Sequence, residues 1–130
     1  MMGTKMAGLD PRRKILRSLI EKEALVGLLN DTKWREILES IVPRHPKVRV
    51  KLLTEDEASE WTGLSKVPPS YIEPVSVGPV LCMEIEWIEL RFASEADLVE
   101  VVRCLRRLGV NCLSDAGVIS IRAYQRSLTS

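Results

Sequence analysis

The segment VLCMEIEWIELRF, residues 80–92, decides how the chain folds. Apolar residues alternate up to Trp87 and then continue on the opposite parity through Ile88, Leu90 and Phe92. Successive side chains of a strand point to opposite faces, so a regular strand would split these residues between two faces. A β-bulge near Trp87 and Ile88 returns both halves to one core and leaves the glutamates of the segment outside. A strand covered on both faces is the alternative.

Two helices are predicted before this strand. Asp10 followed by Pro11 is typical of a helix start, and apolar residues then recur at helical spacing. This helix either bends near Gly27 or stops before Asn30. A second helix begins at the capping residues 30–32 and ends at Pro43. So short a connection predicts a helical pair at the N-terminus.

The middle of the chain mixes strand and loop signals. Period-two alternation over residues 47–53 predicts a half-buried strand. Thr54 and Glu57 match a capping box, which predicts a short helix that carries Trp61 inward and ends at Gly63. The proline-rich residues 65–79 predict an irregular loop with a possible edge strand at 72–77.

The C-terminal third is more regular. Ser94 with Asp97 repeats the capping pattern, and the helix it opens ends at Gly109. Strands over 110–113 and 118–124 should then form a hairpin.

The sequence therefore predicts an α+β fold, in which an antiparallel sheet with helices mainly on one face follows the N-terminal helical pair. The middle of the chain would form a split β-α-β-β-α-β unit. We expect a disordered N-terminus over residues 1–9, one domain over 10–125 and a frayed tail over 126–130.

Composition excludes several classes of protein. The chain has 130 residues, of which 45% are hydrophobic and 28% charged, and its formal net charge is +1. These values exclude a disordered chain, a membrane span and a strong overall attraction to nucleic acid. The N-terminus lacks the apolar core of a signal peptide, and Cys82, Cys104 and Cys112 are widely spaced. A cytoplasmic protein with reduced thiols is expected.

No catalytic constellation is evident, so an enzyme is not favoured. His45 is the only histidine and lies in a polar link between Arg44 and Pro46, which is more typical of a solvated imidazole than of a catalytic base. The cysteines lack the spacing of zinc ligands, and the glycines are too scattered for a phosphate loop. We therefore predict no catalytic residue, no cofactor and no metal.

Three carboxylates form the leading candidate site. Glu84, Glu86 and Glu89 lie along the strand that decides the fold, where an acidic face would attract a basic protein partner. Simple solvation explains the same pattern, since a strand buried on one side has polar residues on the other. A small carboxylate-dependent hydrolase is a further alternative. The first hypothesis is thus a non-catalytic protein-binding module with no membrane contact.

Six arginines support an alternative in nucleic-acid binding. They lie on the first and last predicted helices and could contact several phosphates if the fold brought them together. The tryptophans Trp34, Trp61 and Trp87 all belong to apolar stripes and are expected in the core, which leaves few rings to stack on bases. The arginines are Arg12, Arg13, Arg17, Arg103, Arg106 and Arg107.

Self-association is a separate possibility. Val75 and Val77 lie in the predicted loop and edge strand, where exposed apolar residues favour pairing between edges. A homodimer is therefore a candidate assembly.

Two phrases resemble a family of small bacterial proteins known only as a domain of unknown function. They are NDTKW at residues 30–34, and Gly78-Pro79 followed by EIEWIE at residues 84–89. The similarity extends from about Leu25 to Tyr124. It implies a stand-alone bacterial cytoplasmic protein and carries over no activity, cofactor or active-site residue. Small α+β proteins of this size include immunity proteins that neutralise toxins, an analogy of size and class only.

Overall fold

The computed structural model describes residues 9–65, 71–75 and 77–126. Within these residues the helices are α1 (Leu9–Lys22), α2 (Asp31–Ile41) and α3 (Glu95–Arg107), with 3-10 turns at Val42–Arg44 and Cys82–Glu84. The strands are β1 (Leu25–Gly27), β2 (Lys47–Leu52), β3 (Thr62–Ser65), β4 (Tyr71–Pro74), β5 (Val80–Leu81), β6 (Ile85–Arg91), β7 (Cys112–Asp115), β8 (Val118–Arg122) and β9 (Tyr124–Arg126).

One antiparallel sheet dominates the architecture. Seven strands follow the order β5-β4-β3-β2-β6-β8-β7, and β1 and β9 form a separate two-stranded sheet. The α+β class, the antiparallel sheet and the two N-terminal helices are confirmed. The split β-α-β-β-α-β order is wrong, because β2 is followed by an irregular segment and β3 rather than by a crossover helix.

The core lies between the sheet and the pair α2 and α3. Alternate residues of the central strands point to this side, and both helices cover it with their apolar stripes. The stripe of α2 extends from Trp34 to Ile41, and α3 contributes Val101 and Leu105. The strand residues of this cluster include Val48, Val50, Ile88, Leu90, Ile119 and Ile121.

The predicted bulge is present, centred on Glu86, just before the expected position. Lys51 pairs with Trp87, whereas the next residue of β2, Leu52, pairs with Ile85. Glu86 is therefore the extra residue of β6, and Ile85 and Ile88 both reach the helix side. Trp87 consequently points to the opposite face of the sheet.

Two of the predicted caps, Asn30 and Ser94, start their helices. The side chain of Asn30 accepts a hydrogen bond of 2.7 Å from the backbone N–H of Lys33 at the start of α2. Ser94 accepts one of 3.1 Å from the N–H of Asp97 at the start of α3. Each cap satisfies one of the amides that a helix leaves unpaired at its first turn.

Two local predictions are wrong. The apolar run after α1 does not continue as a helix, because the chain turns at Ala24 (φ 52°) and residues 25–27 pair with β9.

No helix follows Thr54 either. Instead the N–H of Ser59 donates to the carbonyl of Val50 at 2.8 Å, and the N–H of Val50 donates to the Ser59 hydroxyl at 3.0 Å. The segment thus runs along β2, and Trp61 does not enter the core.

The remaining predictions concern the chain ends and the proline-rich loop. The strand predicted over 72–77 is present in part, as β4, but it pairs with both β3 and β5 and is therefore not an edge strand. Ser76 lies outside the described residues, as do 66–70. The predicted disordered start and frayed tail fall on residues 1–8 and 127–130, which also lie outside them. Leu9 belongs to α1 and Arg126 to β9.

A buried ion pair fixes α1 against the rest of the chain. Glu84 is only 4% exposed, although the sequence placed it outside. Its carboxylate accepts the Nε–H of Arg12 at 2.9 Å, a second bond from Arg12 Nη2, and the backbone N–H of Leu81 at 2.8 Å. Leu16 packs on Leu81 one turn further along α1. A buried carboxylate needs such partners to offset the loss of its hydration.

Removing one partner should therefore destabilise the fold. Arg12→Ala leaves the Glu84 carboxylate buried with a single backbone donor, and we expect it to lower the free energy of unfolding by about 1–3 kcal/mol. Urea denaturation followed by circular dichroism measures this change. Arg17→Ala removes an exposed arginine of the same helix and should cost less than about 0.5 kcal/mol. Equal losses in the two variants would contradict the anchoring role.

The buried thiol of Cys82 should be inert in the folded protein. Burial, and to a lesser extent the nearby charge of Asp31, raises its pKa from 9.0 to about 12, while Arg13 acts in the opposite direction. At pH 8 only about one thiol in ten thousand is then a thiolate. Timed iodoacetamide labelling with mass spectrometry should modify Cys82 only after unfolding.

The same shift sets the direction of the pH dependence. Above pH 9.0 the unfolded chain loses the Cys82 proton while the folded chain retains it, so the free energy of unfolding should fall as the pH rises from 9 to 12.

A Cys82→Ser variant is the control for the iodoacetamide labelling. Rapid modification of Cys82 in the folded chain would contradict the prediction.

Candidate functional site

The sheet carries its polar residues on the face opposite α2 and α3, here called the open face. Pairing arranges them in rows across β2, β6 and β8. The rows are Lys47, Arg91 and Val118; Arg49, Glu89 and Ser120; and Lys51, Trp87 and Arg122. β7 adds Asp115 and Leu113 to the first two rows. The inward neighbours on each strand are buried, so the open face follows from strand alternation alone.

Arginine and tryptophan side chains interleave at the centre of the open face. The guanidinium carbon of Arg91 lies 4.2 Å from the centroid of the Trp61 ring. That of Arg49 lies 5.9 Å from Trp61 and 5.6 Å from Trp87. Cation–π contacts at such distances stabilise by about 0.5–1 kcal/mol at exposed sites and more when desolvated. We call these four residues the Arg–Trp cluster.

Arg49 is held on its other side by a carboxylate. Its Nε lies 3.0 Å from Oε1 of Glu89, an ion-pair distance. The N–H is not directed at that oxygen, however, and among the described residues this buried nitrogen has no hydrogen-bond partner. Arg49 is therefore oriented by charge and ring contacts, and retains an unused donor.

Each carboxylate of the predicted acidic face has a cation beside it. Glu84 is buried against Arg12, Glu86 lies 3.2 Å from Lys51 Nζ, and Glu89 lies beside Arg49. Glu86 and Glu89 belong to β6, whereas Glu84 lies in the turn before it. The strand pattern that suggested an acidic face also places basic residues directly opposite, on β2.

The six helical arginines do not gather into one basic surface. Arg13 and Arg17 line a shallow cleft on α1, whereas Arg103 and Arg106 line another between α3 and β7. Arg12 is committed to Glu84, and Arg103 donates to Glu100 at 2.9 Å. Arg107 is exposed at the end of α3.

A cleft of about 630 Å³ opens beside Trp87, at the end of the open face nearest β7. Its apolar wall includes Leu113, which is 76% exposed, and Leu28, which is 41% exposed. Arg122 and Gln125 add polar groups. The cleft extends the Arg–Trp cluster into a mixed apolar and cationic surface.

Sequence reasoning missed Trp61 and Trp87 as surface residues. Trp34 lies in the core as expected, but the other two are only half-buried and stand on the open face. For Trp87 a signal was available, since a bulge that unites Ile85 with Ile88 turns the two residues between them, Glu86 and Trp87, outward. For Trp61 the capping pattern at Thr54 and Glu57 was misleading, because it predicted a helix that would carry Trp61 into the core.

The other chemical candidates stay apart. His45 is exposed in the turn after α2, where its φ is 51°. The three cysteines are free. In the part of the chain that the structure describes, no group of histidine, cysteine and acidic residues has the arrangement of a metal site. No helix among residues 9–65, 71–75 and 77–126 has the length and apolar content needed to cross a membrane.

The positions of the three tryptophans can be tested directly. Variants that keep one tryptophan and replace the other two with phenylalanine should differ in acrylamide quenching. We expect Trp34, which is 2% exposed, to emit at shorter wavelength and to be quenched at least about fivefold less than Trp61 or Trp87. A shielded Trp87 would contradict the open face, and thermal melts verify that each variant is folded.

A family model matches most of the chain. No curated protein and no solved structure matches the chain. The model of a family of unknown function (DUF6678) matches residues 16–127, which include α2, α3 and the whole of the open face. Since this match covers most of the 130 residues, the chain belongs to the family of unknown function DUF6678.

Proposed function

We propose that this protein is a non-catalytic binding module whose open face binds an acidic protein partner. The observation that carries the proposal is the Arg–Trp cluster on a sheet face that α2 and α3 leave uncovered. Arginine and tryptophan dominate the energetics of protein interfaces, because they combine a large contact area with hydrogen bonds or charge.

Apolar surface beside the cluster favours a protein partner. Leu113 and Leu28 line the cleft next to Trp87 and are exposed. Covering aliphatic side chains of this kind stabilises a complex by roughly 25 cal/mol per Å² of apolar area buried. Such a cleft accepts an apolar side chain of the partner, while the surrounding arginines set its orientation.

The charge of the open face favours an acidic partner. Its cations are Lys47, Arg49, Lys51, Arg91 and Arg122, and its carboxylates are Glu86, Glu89 and Asp115. The excess of positive charge would steer an acidic protein toward the face and raise its association rate. The charge of the assembled face is thus opposite to that of the acidic face that β6 alone suggests.

Nucleic-acid binding is the second candidate, because half-exposed tryptophans on an open antiparallel sheet are suited to stacking on bases. Two of the five cations, Arg49 and Lys51, are already paired with a carboxylate, however. The ring contact of Arg91 leaves its charge in place, so Lys47, Arg91 and Arg122 are the cations for which the described residues supply no carboxylate. Three such cations predict a modest salt dependence, with a slope of about −2.1 for a single strand.

A carboxylate-dependent hydrolase has less support. Glu86 and Glu89 each lie within ion-pair distance of a basic side chain, Lys51 and Arg49 respectively. They also line different clefts, of about 490 and 630 Å³. A general acid and a nucleophile must converge on one bond, and this arrangement separates them.

We also infer that the protein acts in the bacterial cytoplasm. The three cysteines are free thiols, and Cys82 is buried. Free, packed thiols are typical of a reducing compartment.

The proposal predicts that the open face is required to retain a partner. Tagged full-length protein, Trp87→Ala and Arg122→Glu variants should be compared by affinity purification from bacterial extract with quantitative mass spectrometry. We expect a protein that the wild type retains to fall at least about tenfold with either variant, since both remove interface anchors. Lys14→Glu is the matched control, because it changes the same charge on the exposed side of α1.

The purified partner then tests the surface itself. Titration should shift the indole N–H resonances of Trp61 and Trp87, and leave that of Trp34 unchanged. Equal recovery by all variants would contradict the proposal. Tight binding of single-stranded oligonucleotides, with a salt slope steeper than about −3, would favour the nucleic-acid candidate instead.

A further inference from the structure

The strand β7 forms a free edge of the large sheet. It pairs with β8 on one side, and within the described part of the chain no strand lies beyond it. Every second residue of such an edge strand directs its N–H and C=O away from the sheet. These groups can bind a further strand through backbone hydrogen bonds.

This edge lacks three of the features that usually prevent strand pairing, although it is only four residues long and ends in the charged Asp115. The three absent features are lysine, proline and a bulge. β7 has the sequence Cys-Leu-Ser-Asp and pairs with β8 in continuous register. Its side chain at Leu113 is 76% exposed. The edge therefore offers unpaired backbone groups together with an exposed apolar side chain.

A groove between β7 and α3 adds specificity. It has a volume of about 480 Å³ and is lined by Leu98, Val99, Val102, Arg103, Arg106 and Ser114. Val99 is 50% exposed, so the apolar part of the groove is uncovered. A strand added at β7 would place every second side chain in this groove.

The groove changes from apolar to basic along α3. Four residues separate Val102 from Arg106, a rise of about 6 Å along a helix. Residues on the same side of a strand are about 6.6 Å apart. Burial raises the pKa of the Cys112 thiol on β7, and the nearby charge of Arg106 acts in the opposite direction. The guanidinium thus lies near the edge strand.

The same charges disfavour a second copy of this chain as the occupant. Two-fold pairing of β7 with β7 would bring Arg103 and Arg106 of both copies to one seam. Arg103 is paired with Glu100, but the described residues supply no ion pair for Arg106. Like charges placed together in this way oppose association.

We propose that β7 accepts an extended segment of an acidic partner as an eighth strand of the sheet, with apolar side chains in the α3 groove and a carboxylate at Arg106. This inference does not rest on the proposed function, because it requires neither the Arg–Trp cluster nor Arg122. Affinity comes from backbone pairing, and selectivity from the order of apolar and acidic residues on one side of the segment.

A capped heptapeptide, Thr-Val-Thr-Val-Thr-Glu-Thr, serves as the probe. It offers two valines and one glutamate on one side of a strand. Titrated into the labelled full-length protein, it should shift the backbone amide resonances of residues 111–115. Arg106→Glu should weaken binding at least about fivefold, whereas Arg107→Glu, a neighbouring exposed arginine outside the groove, should change it less than about twofold.

N-methylated peptides separate strand addition from side-chain binding alone. One peptide carries N-methyl groups on the threonines, and the other carries them on the valines and the glutamate. Only one edge of an added strand faces β7, so one of these peptides should lose binding and the other should retain it.

Several results would overturn the inference. They are the absence of amide shifts at millimolar peptide, equal binding of both N-methylated peptides, and a dimer by analytical ultracentrifugation that protects β7 amides from exchange. Shifts confined to the indoles of Trp61 and Trp87 would also overturn it while supporting the open face. Trp87→Ala removes an anchor of the open face, and Trp87 does not line the α3 groove. The substitution should therefore leave peptide binding unchanged, so the two proposals can be told apart.

Discussion

The extra residue in β6 is the constraint on which the arrangement of the molecule depends. Glu86 shifts the register against β2, so that Ile85 and Ile88 both reach the core beneath α2 and α3. Strand alternation then leaves Trp87 on the opposite side, beside Arg49. The apolar core and the open face are therefore two results of one irregularity, since a strand without it would bury a charged residue or expose an isoleucine.

The same region joins the N-terminal helix to the sheet. The 3-10 turn before β6 directs Glu84 inward, where Arg12 and the N–H of Leu81 satisfy its carboxylate. α1 is thereby attached through a polar contact supported by Leu16, in contrast to α2 and α3, which pack through broad apolar stripes. The free energy that holds α1 is accordingly more local and more sensitive to a single substitution than that of the other helices.

Sequence reasoning recovered the elements whose signals are local and mutually consistent. α2 and α3 combine a capping residue with a continuous apolar stripe, and both signals agree on the boundaries. The capping pattern at Thr54 stood alone, and tertiary contacts of Ser59 with β2 outweighed it. Leu25 likewise lies in a strand because it pairs with a distant residue, Arg126 of β9.

The candidate surface was harder to predict, because it depends on which strands become neighbours. β6 read alone suggests an acidic face, whereas its pairing with β2 places Lys51 and Arg49 against Glu86 and Glu89. A net charge of +1 therefore reflects neutralisation between adjacent strands as well as along the helices. Only the register, which a single sequence does not determine, distinguishes the two interpretations.

The pairing of Arg12 with Glu84 also has a consequence for the order of folding. The two residues are 72 positions apart, so during synthesis α1 leaves the ribosome long before its buried partner exists. Closing so long a loop costs entropy that only the assembled sheet can offset. Docking of α1 therefore has to wait for the sheet, and until then its apolar stripe is available to chaperones.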